Sequence, residues 1–253
     1  MSACQSSKAR IACGALALAL LSACATTAKP VPRDYDARDP FEPINRGIYR
    51  FNERVDRAIL RPTARAYRAV LPQFVRTSVG NVFSNIGDVR VVLNNTLQGK
   101  FTTAYADFGR VAINSTLGML GLFDIASEAG IEKHNEDFGQ TLGWWGVGDG
   151  PFIMLPLFGP STARDTIGFA VDYLTDPVTY VDPTSSRNQL GATRLVNRRA
   201  DLLDATSVLK TTLDPYQFMR DGYLQRRKNL IFDGNPPLEK DAITEAPPKP
   251  PAK

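Results

Sequence analysis

Apolar residues recur along this chain at the spacing of a helix face, and no segment alternates with the period of two that a half-buried strand needs. Ile44, Ile48, Phe51, Val55 and Ile59 form one such stripe, interleaved with Arg and Glu. Pro62 breaks it, and Thr63 to Leu71 reads as a short second helix. From Pro72 a long stretch places Val75, Val79, Val82, Ile86, Val89, Leu93 and Leu97 on one face, weakened at Gly80 and Gly87 and ended by Gly99. Thr102 to Leu117 carries Tyr105, Phe108, Ala112 and Ser115 at helical spacing, a narrow face suited to close packing. Further on, Ser161 reads as an N-cap for a helix to about Leu174, and Asp182-Pro183 as a turn. Gln189 to Lys210 reads as a helix. Asp214-Pro215 reads as an N-cap with proline at the first helical position of a last helix to about Ile231, ending near Gly234. The expected class is all-α, a single helical domain.

One segment resists this period. Gly118 to Gly159 is rich in glycine and in large apolar side chains, and reads as packed loops and short turns. Within it, Trp144 and Trp145 precede an apolar run from Phe152 to Phe158 that Pro156 interrupts. The run is far short of the roughly 20 apolar residues of a spanning helix. Tryptophan favours the membrane–water boundary, with its ring buried and its N–H wet. Two readings stay open: Phe152, Ile153, Leu155, Leu157 and Phe158, with the two tryptophans, contact a membrane, or the run fills the core.

The N-terminus sets the expected address. Lys8 and Arg10 precede an apolar run from Ile11 to Leu21, the pattern of a signal peptide. It closes on Leu21-Ser22-Ala23-Cys24, which matches a bacterial lipobox. Residues 1–23 are expected to be removed and Cys24 to be acylated. Buried acyl chain contributes about 0.8 kcal/mol per CH₂, so multiple acylation anchors a protein without a spanning helix. Ala25, rather than Asp, follows the cysteine, which directs the protein to the periplasmic face of the outer membrane. Cys4 and Cys13 leave with the leader, so the mature chain keeps no thiol for a disulfide or a thiolate metal site. Residues 24–38 read as a lipidated tether, 39–234 as the domain, and 235–253, rich in proline and charge, as a disordered tail.

Little in the sequence points to covalent chemistry. Loss of Lys8 and Arg10 lowers the formal net charge of +4 by two, too weak a field to suggest nucleic acid. His134 is the only histidine, and no G-x-S-x-G elbow supplies a serine for it. With Glu132, Glu136 and Asp137 nearby it reads as an exposed loop or, more sharply, as a catalytic base. Gly146-Val147-Gly148-Asp149-Gly150 lacks the strand, helix and G-K-[ST] of a phosphate loop. No cofactor is implied. Two basic clusters, Arg187, Arg194, Arg198 and Arg199, and Arg226, Arg227 and Lys228, read either as solvated helix faces or as contacts for lipid phosphates.

A series of motifs adds a resemblance. Asp39-Pro40-Phe41-Glu42-Pro43-Ile44-Asn45-Arg46 runs on through Tyr49, Phe51 and Asn52. Arg61-Pro62 follows, then Asn114-Ser115-Thr116-Leu117-Gly118 before "GLFDIA". Phe138-Gly139-Gln140-Thr141-Leu142-Gly143, "LPLFGPSTARD" and Asp214-Pro215-Tyr216 complete the series. In this order, covering nearly the whole domain, the chain resembles the MlaA/VacJ lipoprotein family; the tail after Asn235 lies outside the family's common core. The resemblance implies a mostly helical, ring-shaped protein with glycine-rich loops, lying in the inner leaflet of the outer membrane. It implies an amphipathic passage that takes mislocalised phospholipid from the outer leaflet toward a soluble periplasmic lipid carrier, association with a trimeric porin, and no enzymatic activity. Asn45, Phe51, Asn52, Asn114 and Thr116 are the candidates for the wall of such a passage, and Asn45–Asn52 for a rim or gate. The same asparagines read equally as braces for helices. A membrane-anchored phospholipase and a structural envelope tether are the competing functions.

Overall fold

The structure, a computed structural model, describes residues 36–206 and 212–237. The leader, Cys24, most of the tether and the tail from residue 238 lie outside the described residues. The elements below belong to the compact unit that begins at Phe41.

The fold is mostly helical, as the periodicity predicts. Helix α1 (Glu42–Val55) opens with Pro43 in its first turn and closes with Arg54 in its last, both favourable ends. Pro62 does not break the chain's course here. A single π-helical turn, Asp56–Leu60, joins α1 to α2 (Arg61–Val70) with helical backbone throughout, and the Arg61 N–H reaches the Asp56 carbonyl five residues back. The wider turn takes up the register change where proline, lacking an N–H, cannot continue an α ladder.

Helix α3 (Gln73–Leu97) is one 25-residue helix despite Gly80 and Gly87. It packs along α4 (Phe101–Thr116). A short helix α5 (Ile125–Glu128) is capped by Asp124, and α6 (Phe138–Trp144) by Asp137. Helix α7 (Ala163–Thr175) is capped by Thr162, one residue later than Ser161, whose hydroxyl instead meets Thr166. A 3-10 turn, Pro177–Tyr180, leads to α8 (Thr184–Asp201), which starts earlier and ends earlier than its apolar pattern suggests. Helix α9 (Pro215–Ile231) has the expected cap: Asp214 accepts from the N–H groups of Tyr216 and Gln217.

The segment without helical period holds a β-hairpin, where the sequence pattern predicts only loops and turns. Strand β1 (Phe152–Leu155) pairs antiparallel with β2 (Gly159–Thr162), with Phe152 opposite Thr162 and Leu155 opposite Gly159. Pro156, Leu157 and Phe158 form the loop, with Leu157 at φ 66° and Gly159 at φ 90°. Three-residue hairpin loops use such left-handed positions to reverse the chain. In β1 buried and half-buried positions alternate, but all four side chains are apolar, so no alternation is visible in the sequence.

The interior is the second departure. Among the described residues, buried polar and charged side chains outnumber buried apolar ones by about two to one. Helix α4 turns Ala104, Asp107, Arg110 and Asn114 inward and leaves Tyr105 and Phe108 exposed. The packed face is therefore rotated away from the one expected. Helix α3 buries Asn85, Asp88, Asn94 and Asn95 while Val89, Leu93 and Leu97 stay outside. The α1 stripe behaves alike: Asn45 is buried, and Ile44, Phe51 and Ile59 are exposed. A small apolar core remains where Phe152, Met154 and Tyr216 meet, flanked by Ile48, Tyr49 and Leu224.

Candidate functional site: a polar cavity inside an apolar exterior

The motif residues meet one another across the fold. Asn45 donates from Nδ2 to the Phe152 carbonyl (3.0 Å), and its Oδ1 accepts from the Met154 N–H (2.9 Å). Two helical turns on, Asn52 does the same to the loop: Nδ2 donates to the Leu155 carbonyl (2.9 Å) and Oδ1 accepts from the Leu157 N–H (2.8 Å). Arg46 pairs with Asp214 (2.7 Å) and lies over the Tyr216 ring (4.5 Å). The Asp214-Pro215-Tyr216 motif thus caps α9, binds α1 and stacks on β1, where Phe152 meets Tyr216 edge-on. Asn114 donates to Asp124 (2.9 Å) and accepts from the Ala126 N–H (2.9 Å), while Arg110 makes a forked contact with the same Asp124. Hydrogen bonds from Ser127 and Asn114, with the charge of Arg110, hold the Asp124 carboxyl at about 2 against the opposing effect of burial.

Asn45 and Asn114 therefore serve as braces between segments, one of the two readings that the sequence leaves open to them. Each is buried: Asn45 spends its amide donor and its acceptor on backbone groups of β1, and Asn114 braces the start of α5 through the Asp124 carboxylate and the Ala126 N–H. Asn52 acts likewise. The Thr116 hydroxyl bonds back to the Ala112 carbonyl of its own helix (2.7 Å), and Phe51 is exposed.

Phe152 is corrected. It has no accessible surface and sits in the core, so it is not a contact for lipid in this arrangement. Ile153 and Leu155 are half-buried. Leu157 and Phe158 at the hairpin loop are exposed, with Phe158 against Phe169 of α7 (4.8 Å). Trp144 and Trp145 are exposed near the end of α3. The Trp145 indole donates to the Leu97 carbonyl (3.1 Å), and Lys100 lies over Trp144 (4.6 Å).

Below this exterior, α6, α7 and α9 meet around a charge centre. Arg227 donates two 2.5 Å bonds to Asp137 and reaches Asp165 through Nε (2.9 Å). Asp165 also accepts from Arg164 (2.8 Å) and from the Tyr223 hydroxyl (2.6 Å). Burial and the Asp165 charge push the Tyr223 phenol up, so it stays a donor. The arginine bonds outweigh burial at Asp137 and hold its carboxyl below the usual range.

Beside this centre opens a cavity of about 500 Å³, walled by α3, the chain from Lys133 to Asp137, α8 and α9. Several of its carboxylates are matched: Asp88 with Lys133 (2.8 Å), Asp137 with Arg227, Asp176 with Arg194. Both basic clusters of the sequence contribute, through Arg194 and Arg198 and through Arg226 and Arg227. Arg90 from α3 had no sequence signal; it sits on the polar face of a helix read by its apolar stripe. His134 is half-buried rather than exposed, with Nδ1 3.1 Å from Asp107, a carboxylate that also accepts from Asn95 (2.8 Å). No hydroxyl hydrogen-bonds His134 among the described residues.

Fold and site together define a class: a mostly helical protein with a polar, ion-paired interior and an apolar exterior. Large apolar side chains left exposed in such number, Phe74, Phe101, Phe108 and Phe158 among them, suit contact with a membrane or a partner protein. The chain belongs to the MlaA lipoprotein family, whose model matches residues 37–230. It is 36% identical over 234 residues, 90% of each chain, to the intermembrane phospholipid transport system lipoprotein MlaA of Shigella flexneri. It is 35% identical over the same length to the protein of that name from Escherichia coli, and 29% over 237 residues to that from Haemophilus influenzae. A solved structure from work on the structural basis for maintenance of bacterial outer membrane lipid asymmetry matches with a TM-score of 0.68 at 35% identity. The match covers 78% of this chain and 99% of that one. No helix among the described residues is long and apolar enough to cross a membrane.

Proposed function

We propose that this protein is a non-enzymatic lipoprotein of the outer membrane that moves mislocalised phospholipid from the outer leaflet toward the periplasm. The observation that carries this reading is the inverted side-chain distribution. Exposing Leu93, Phe101, Phe108 and Phe158 to water forgoes about 1.5–3 kcal/mol each, whereas acyl chains would cover them. The polar cavity offers a charged headgroup a route that bilayer hydrocarbon denies it. Acylated Cys24 anchors the chain on the periplasmic side. Trp144, Trp145, Leu157 and Phe158 sit at or within the leaflet, with Ile153 and Leu155 behind the hairpin loop. A ring-shaped seating in the inner leaflet, beside a trimeric porin and above a soluble carrier, completes the reading. The names of the Shigella, Escherichia and Haemophilus relatives, each a lipoprotein of an intermembrane phospholipid transport system, support it.

Outer-leaflet phospholipid, measured in a deletion strain, tests this directly. Transport predicts accumulation that the intact gene reverses and a Cys24→Ala variant does not. A strain with normal asymmetry but weakened envelope mechanics would instead favour the tether.

The pairing of His134 with Asp107 favours one second reading, hydrolysis of the same lipids. His134→Ala separates the two, because a hydrolase loses lipid clearance with that imidazole and a passage keeps it.

A further inference from the structure

Once the paired groups of the cavity are set aside, an imbalance of charge remains. Arg198 of α8 and Arg226 of α9 line the cavity with exposed side chains, and neither guanidinium hydrogen-bonds or ion-pairs with a described residue. Arg90 of α3 reaches only Asp172, at 3.7 Å, and its Nε has no hydrogen-bond partner. Against these three guanidinium groups stands Asp201, whose carboxylate accepts from Asn197 (3.4 Å) and pairs with no cation among the described residues. Desolvation and the neighbouring charges of Arg194 and Arg90 lower the pKa of Arg198 against the opposing charge of Asp176. Like charges gathered along one cavity repel one another, even with two of them open to solvent, and an anion placed among them reverses the sign of that interaction.

The geometry points to a phosphate-binding subsite in which Arg90 and Arg198, with Arg226, hold the phosphodiester oxyanion of a lipid headgroup inside the cavity. Guanidinium suits such a subsite because it is permanently charged, weakly hydrated, and presents paired N–H donors that match two oxygens of one phosphate. Neutral headgroup atoms have Ser84 and Asn135 at hand on the same walls. The inference deepens the transport reading and rests on it for the source of the phosphate.

The test uses the full chain in a non-ionic detergent. Glycerophosphoglycerol, the headgroup without tails, is titrated by calorimetry, with and without competing phosphatidylglycerol, and inorganic phosphate is titrated in parallel. Arg198→Gln is expected to weaken glycerophosphoglycerol binding about tenfold or more, the loss of a charge-assisted pair. It should leave the ligand-free unfolding temperature unchanged or higher, since an unpaired charge is removed. Arg198→Lys keeps the charge, loses the fork, and should fall between. Arg54→Gln, an exposed arginine on α1, should bind as the wild type does. Unaltered binding in both Arg198 variants, or an Arg198→Gln protein that unfolds earlier without ligand, overturns the subsite. Saturation by inorganic phosphate with no competition from phosphatidylglycerol overturns the lipid source. A deletion strain with normal lipid asymmetry removes the transport reading whatever the titration shows; an unaltered titration beside a strain that accumulates outer-leaflet phospholipid removes the subsite alone.

Discussion

Gly168 of α7 lies so close to Gly139 of α6 that a Cβ on Gly168 would stand 2.3 Å from the Gly139 nitrogen. The obstacle is backbone, which cannot swing away as a side chain would. The mutual approach also lets Arg227 reach past Gly139 to Asp165, since a Cβ on Gly139 would meet the guanidinium at 2.4 Å. Gly168→Ala should therefore force the helices apart and destabilise the protein by about 3 kcal/mol or more. A thermal melt by circular dichroism should show a large drop in the midpoint. Gly191→Ala, in α8 with open space around it, should be neutral or slightly stabilising.

Asn45 and Asn52 clamp the same hairpin from different depths, and their substitutions should rank accordingly. Asn45→Ala strands a carbonyl and an N–H in a buried place, at about 2 kcal/mol or more. Asn52→Ala exposes its partners to water and should cost about 1 kcal/mol. Asn45→Asp should be worse than Asn45→Ala, because a carboxylate cannot donate to the Phe152 carbonyl and carries a charge into a buried site. Denaturant melts of the three variants provide the ranking.

The two phenylalanines that bracket the hairpin should separate folding from membrane seating. Phe152→Asp places a charge in the apolar core and should abolish the cooperative melt. Phe158→Asp alters an exposed side chain and should leave the melt close to wild type, while weakening partition into phospholipid vesicles about tenfold or more. Vesicle co-sedimentation of the Cys24→Ala chain, with and without Phe158→Asp, measures the second effect apart from the anchor.

Asp172 gives the fold a pH dependence of unusual sign for a carboxylate. Burial raises its pKa to about 6, against the pull of Arg90. An unfolded Asp ionises at about 4. Between these values the unfolded chain releases a proton that the folded chain retains, so stability from this group is present below about 4 and is lost as pH rises through about 6. Asp172→Asn removes that loss while keeping an acceptor for the Phe138 N–H. The variant should gain stability relative to wild type as pH goes from 4 to 7, and chemical denaturation at the two pH values reads the difference.

By itself the sequence determined the helical class, most helix ends and the family. These depend on local rules: spacing along a helix, proline in a first turn, Asp214 as a cap, and motifs whose residues stand in fixed order. The tertiary structure decided which way each helix faces and what its motif residues do. Helices α3 and α4 each carry an apolar and a polar face, and amphipathic spacing is the same whether the apolar side meets a core or a bilayer. Only the contacts of Asp88, Arg110 and Asn114 show that here the polar side turns inward. The hairpin stayed hidden for a related reason. Its register depends on two asparagines about a hundred residues away in sequence, and its apolar side chains carry no alternation to betray a strand. The cavity likewise gathers Arg90, Arg198 and Arg226 from three separate helices, and no spacing within any one of them records that meeting.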